Sequence, residues 1–136
     1  MTVRVTAGAR LHMGFCNLSL AHERIYGSVG VSLDAPRVVV EADPAPSPDC
    51  EHELAADYAR EACRLLDVPG ARLDVREELP RHAGLGSGTQ LALAVLTAVA
   101  RAHDRAPAVR EHAPALGRGG RSGVGVASFE RGGFVL

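Results

Sequence analysis

Pro80-Arg81-His82-Ala83-Gly84-Leu85-Gly86-Ser87-Gly88-Thr89-Gln90 is the stretch from which the rest of this chain is read. Before it, residues 71–78 alternate apolar and polar side chains, Leu73 and Val75 against Asp74 and Arg76, the period of a strand. After it, residues 91–103 are rich in Ala, Leu and Val, which predicts a buried helix. A glycine-rich loop therefore joins a strand to a helix N-terminus. Glycine lets the backbone approach a ligand closely, and the free N–H groups and positive dipole end of a helix favour an anion. Gly84, Leu85, Gly86, Ser87, Gly88, Thr89 and Gln90 are the candidate phosphate-binding residues. No lysine follows the glycines, and Gly84-x-Gly86-x-Gly88 lacks the dinucleotide-binding spacing. On the glycines alone, a capped helix with no ligand stays open.

A second glycine-rich run lies downstream, Gly117-Arg118-Gly119-Gly120-Arg121-Ser122-Gly123-Val124-Gly125-Val126. Arg118 and Arg121 offer forked donors suited to phosphate, with Ser122 beside them. Read alone, the run is equally a mobile surface loop. Two anion-suited loops in one small chain point to a ligand carrying more than one phosphate. The run is expected to lead into a strand over residues 124–129. Ahead of it, residues 107–116 read as a short helix that Pro114 breaks or kinks.

Toward the N-terminus, residues 2–7 alternate as a strand and Gly8 marks a bulge or close approach. The extended pattern continues to Phe15, with Arg10 and His12 on one face and Leu11, Met13 and Phe15 on the other. A face of Arg and His lines either a cleft or solvent. Residues 17–27 read as a loop, 26–33 as a strand, Asp34-Ala35-Pro36 as a turn and 37–42 as another strand. Consecutive short strands favour an antiparallel sheet over βαβ repeats. Residues 49–67 have helical spacing, with Leu54, Tyr58, Ala62 and Leu65 or Leu66 on one face, and Pro69-Gly70 closes the helix.

The chain has 136 residues, about one domain, and 46% of them are hydrophobic, enough for a core. A net charge of −1 gives no reason to expect a nucleic-acid or membrane-surface partner. Its 15 basic residues are all arginine. Cys16, Cys50 and Cys63 form neither a metal pattern nor an obvious disulfide frame and read as reduced thiols of a cytoplasmic protein. Neither a signal peptide nor a membrane-spanning run of ~18 apolar residues is visible. Residues 132–136 read as the middle of a strand, which suggests the front half of a longer protein.

With both loops in view, the sequence resembles the GHMP kinase superfamily, whose loop reads Pro-x-x-x-Gly-Leu-Gly-Ser-Ser-Ala. Pro80 to Ser87 matches it, and Gly88-Thr89-Gln90 departs. The departure resembles one branch, the β-ribofuranosylaminobenzene 5′-phosphate synthases of methanopterin biosynthesis. That branch also has Ala-Arg-Leu-His-x-Gly-Phe, matched by Ala9 to Phe15, and Tyr-Gly-x-x-Gly-Val, similar to Tyr26 to Val31. Its Arg-Gly-x-Arg-Ser-Gly-Ile-Gly and Phe-Glu-x-Gly-Gly-Phe resemble residues 118–125 and 129–134, while 43–78 are unmatched. The resemblance implies an α+β fold for residues 1–136, a ribosomal-S5-like mixed sheet with packed helices. Relatives build their active site between this half and a C-terminal half.

The resemblance also implies a reaction. Phosphoribosyl pyrophosphate and 4-aminobenzoate, or 4-hydroxybenzoate in some members, would combine with loss of carbon dioxide and pyrophosphate. Arg10 or His12 would hold the benzoate carboxylate, and His82 would orient the loop or touch phosphate. Mg2+ would assist the pyrophosphate, although no dedicated carboxylate cluster is visible for it. No organic cofactor is implied, and a homodimer is compatible. The alternatives are an ATP-dependent small-molecule kinase and a phosphate-binding module without catalysis. GHMP kinases carry Ser-Gly-x-Asp in the second loop, and here the segment is Ser122-Gly123-Val124-Gly125. Glycine accepts no proton, and a missing base costs ~10²–10⁴-fold in rate.

Overall fold

The computed structural model describes residues 2–17, 26–81, 85–118, 126, 129–130 and 134–135, with side chains left undescribed at 12–17, 26–28 and 134–135. Two long strands, β1 (Val3–Asn17) and β2 (Tyr26–Pro44), are followed by helix α1 (Glu53–Leu66), strand β3 (Ala71–Glu77) and helix α2 (Ser87–Ala102). A short helix α3 (Val109–His112), a 3-10 turn (Pro114–Leu116) and strand β4 (Phe134–Val135) complete the described elements. The sheet is antiparallel throughout, in the order β1-β2-β3, with β4 also on β2. Since β1 holds one edge of β2 along its length, β3 and β4 share the other edge, against residues 39–44 and 30–31 respectively.

The α+β architecture and the antiparallel sheet are as the sequence implied. Three local expectations are corrected. The anticipated 34–36 turn does not reverse the chain: residues 33–36 bulge from one continuous β2, because Gly8 pairs with Arg37 and Arg10 with Ser32. Here Gly8 is required for space, since a Cβ on it would land on the Leu33 carbonyl oxygen. The anticipated 17–27 loop is shorter, because Asn17 pairs with Tyr26 and Cys16 with Gly27. Of the strand anticipated over 124–129, Val126 and Phe129 lie within the described residues, and both, like Glu130, are helical. The spacing of Val126 and Phe129 lets both meet the cluster of Leu93, Val109 and Ala113, and that packing overrides the short alternation of Val with Gly.

Helix α2 is the centre of the molecule. Every residue from Gln90 to Ala100 is buried, because β1 and β2 cover one side, α1 another and α3 a third. An apolar helix rich in small residues suits that position, since alanines allow close approach. Opposite it, Val5, Ala7 and Ala9 of β1, Val38, Val40 and Ala42 of β2 and Leu73 of β3 close the main core. Each large side chain so removed from water contributes about 1.5–3 kcal/mol. Helix α1 is amphipathic and buries Ala55, Tyr58, Ala59, Ala62, Cys63 and Leu66. It ends on Asp67 in a left-handed conformation (φ 54°), short of Pro69 and Gly70.

Candidate functional site at the N-terminus of α2

The sheet and the two long helices bring the loop of residues 85–88 to a point where β1, α1 and the segment after α3 converge. Helix α2 starts at an N-cap glycine, Gly86, in a left-handed conformation (φ 76°, ψ 31°). Glycine adopts that conformation without strain. Among the described residues no side chain caps the helix, and its first turn holds no acidic residue. The first-turn N–H groups of an α-helix have no acceptor within the helix, so this end presents donors and a positive dipole.

Two arginines stand against it. The Arg10 backbone N–H donates to Leu85 O at 2.9 Å, tying β1 to the loop. The Arg10 side chain then runs beside Gly86: a Cβ on Gly86 would lie 2.6 Å from Arg10 Cγ and 2.7 Å from Nε. Arg118 arrives from the other side, and a Cβ on Gly88 would lie 2.8 Å from its Nη1. Arg118 Nη2 donates to the Tyr58 hydroxyl at 2.5 Å, and Arg118 Cζ lies 5.6 Å from the Tyr58 ring centroid. The Nε atoms of Arg10 and Arg118 are both buried with no hydrogen-bond partner among the described residues. Burial pushes the Arg10 guanidinium below its ordinary value. Two cations at the positive end of a helix, with unspent donors, are chemically suited to an anion of more than one charge.

A cavity of about 350 Å³ opens beside this point, bounded by Val38, Leu54, Leu79 and Leu91 and by Glu78, Arg81, Ser87 and Arg118. Glu78 is held from behind: its Oε2 lies 2.6 Å from His52 Nε2. His52 Nδ1 accepts the Ala55 N–H at the start of α1, so the ring proton sits on Nε2 and is donated to Glu78.

Of the residues singled out in the sequence, Arg10, Leu85, Gly86, Ser87, Gly88 and Arg118 therefore meet in one place. Thr89 is half-buried in the first turn of α2, and Gln90, next to it, is fully buried. Arg10 lies at the loop itself. His12 is described only by its backbone, which pairs with Gly30. His82, Gly84, Arg121 and Ser122 lie outside the described residues. Tyr58, His52 and Glu78 were not foreseen. Tyr58 reads in sequence as one more apolar position of α1, and nothing in its spacing signals an arginine 60 residues away.

The family model described as GHMP kinases N terminal domain matches residues 52–133. The chain belongs to the GHMP kinase family. This member is similar to the β-ribofuranosylphenol 5′-phosphate synthase of Methanothermobacter thermautotrophicus, at 37% identity over 97% of this chain and 44% of that protein. It is also similar to those of Methanocaldococcus jannaschii (32%, over 94% and 44%) and Archaeoglobus fulgidus (33%, over 98% and 44%). The chain spans under half the length of these curated relatives. Among solved structures, this GHMP domain is similar to a 4-(cytidine 5′-diphospho)-2C-methyl-D-erythritol kinase, with a TM-score of 0.70 at 20% identity, over 98% of this chain and 51% of that one. The phosphomevalonate kinase of Streptococcus pneumoniae gives 0.68 at 12%, over 98% and 47%. These two likenesses establish the fold of the GHMP domain, while its closer sequence relatives carry the synthase name.

Proposed function

We propose that this chain supplies the pyrophosphate-binding part of a decarboxylating ribosyltransferase in methanopterin-type biosynthesis. The enzyme joins phosphoribosyl pyrophosphate to 4-hydroxybenzoate or 4-aminobenzoate. The observation that carries the reading is the pair of guanidinium groups, Arg10 and Arg118, set beside the N-terminus of α2, in a chain similar to named β-ribofuranosylphenol 5′-phosphate synthases.

In this reaction the ring carbon bearing the carboxylate attacks ribose C1. The C1–oxygen bond breaks and its electron pair leaves on pyrophosphate. The bond to the carboxylate then breaks, its pair restores the aromatic ring, and carbon dioxide departs. Negative charge accumulates on the leaving pyrophosphate, where preorganised N–H groups and guanidinium groups stabilise it. Ser87, at the first position of α2, adds a hydroxyl donor at the same point. Among the described residues, Glu78 is the one carboxylate that borders the cavity. A divalent ion accompanying the substrate would thus be held chiefly by pyrophosphate oxygens, the usual arrangement for Mg2+. Such soluble substrates suit a cytoplasmic protein, and no described helix is long and apolar enough to cross a membrane.

Calorimetric titration of the full chain with phosphoribosyl pyrophosphate and, separately, with ATP tests the reading, each with Mg2+. Preferential binding of the ribosyl pyrophosphate is expected, weakened about tenfold or more by Arg10→Ala and by Ser87→Ala. Preferential ATP binding would replace this reading with a kinase-like one.

A further inference from the structure

Gly88 sits in the first turn of α2 with a helical backbone. No left-handed turn requires glycine at this position, and alanine is the better helix former. What glycine provides is room. A Cβ there would meet Arg118 Nη1 at 2.8 Å and both Cζ and Nη2 at 3.1 Å. The guanidinium thus lies directly over the first turn, a place that any larger residue would deny it.

A cation over the positive end of a helix is held there against the dipole, so something must fix it. The Arg118 backbone N–H donates to Ala113 O at 2.8 Å, anchoring the base of the side chain. At the other end, the buried Tyr58 accepts from Nη2 through its hydroxyl and lies under Cζ with its ring. Both partners are neutral. Among the described residues no carboxylate pairs with Arg118, so the guanidinium is oriented without being neutralised.

We propose that Gly88 and Tyr58 are positioning residues that together fix the Arg118 guanidinium over the first turn of α2 as a preset counter-charge for pyrophosphate. This rests on the pyrophosphate-binding reading above and extends it to how Gly88 and Tyr58 hold Arg118 in place. Preorganisation matters because an arginine loses much side-chain freedom on binding, and a side chain already immobilised binds an anion without that loss.

The test is calorimetric titration of inorganic pyrophosphate into the full chain and its variants, with thermal unfolding measured in parallel. Gly88→Ala is expected to lower pyrophosphate affinity about tenfold, while the unfolding midpoint stays level or rises. Tyr58→Phe, which keeps the ring and removes the acceptor, is expected to cost about threefold. In an Arg118→Ala background neither change should cost anything further, since both act through that side chain. Wild-type affinity in the folded Gly88→Ala and Tyr58→Phe chains would overturn the proposal, as would losses that persist without Arg118. A wild-type chain that binds no pyrophosphate removes the functional reading itself, and this inference with it.

Discussion

A Cβ added to Gly8, Gly86 or Gly88 would meet another part of the chain at less than normal contact distance, but the three would meet different things. Gly8 faces a backbone carbonyl of β2, whereas Gly86 and Gly88 face arginine side chains. A carbonyl inside a sheet cannot retreat. A guanidinium can. Gly8→Ala is therefore expected to destabilise the fold by about 1–3 kcal/mol, read as a lower unfolding midpoint, in contrast to the level or raised midpoint expected for Gly88→Ala. Cys63 offers a second residue-scale prediction. It is buried in α1, and burial pushes its thiol up. A raised value means less thiolate at neutral pH, so iodoacetamide should label Cys63 slowly in the native chain and rapidly in urea. Equal rates in both would contradict its burial.

At the scale of elements, α1 links the core to the site. Its N-cap is His52, whose Nδ1 accepts from Ala55 N at 3.2 Å. The opposite ring nitrogen holds Glu78 at the edge of the cavity. One side chain thus starts a helix and holds a carboxylate at the edge of the cavity that Arg118 and Ser87 also line. His52→Ala should cost about 0.5–2 kcal/mol of stability by urea denaturation. His52→Asn, which restores a short capping acceptor, should recover most of that. Equal losses for the two variants would show that the cap contributes little. One turn into the same helix stands Tyr58, so α1 governs both Glu78 and Arg118 although it lies entirely outside the glycine loops.

For the molecule as a whole, α2 is the shared wall of two apolar clusters. Leu96 belongs to the main core against the sheet and α1, and Leu93 to the smaller cluster with Val109, Ala113 and Val126. Ala113 also supplies the carbonyl that anchors the Arg118 backbone, so the second cluster is the floor of the site. Leu93→Ala is expected to destabilise by about 2–5 kcal/mol, measured by chemical denaturation. A loss under 1 kcal/mol would mean that this cluster packs loosely and fixes nothing above it.

Local pattern in the sequence settled a good deal by itself. Alternation marked β1 and β3, an apolar run marked α2, and the glycines of residues 84–88 marked the junction between strand and helix. Pro114 was expected to interrupt a helix, and it separates α3 from the 3-10 turn. These features depend on residues a few positions apart, and local sterics and periodicity govern them. Tertiary structure alone decided the rest. Whether residues 33–36 reverse the chain or bulge from it depended on the pairing offered by β1. The helical state of Val126 and Phe129 depended on the cluster beneath them. That Arg10 reaches Gly86, and that Tyr58 fixes Arg118 over Gly88, follows from how a sheet and two helices dock. Periodicity tells which face of an element is buried. It carries no information about which distant element will cover that face, and the candidate site is built from those long-range contacts.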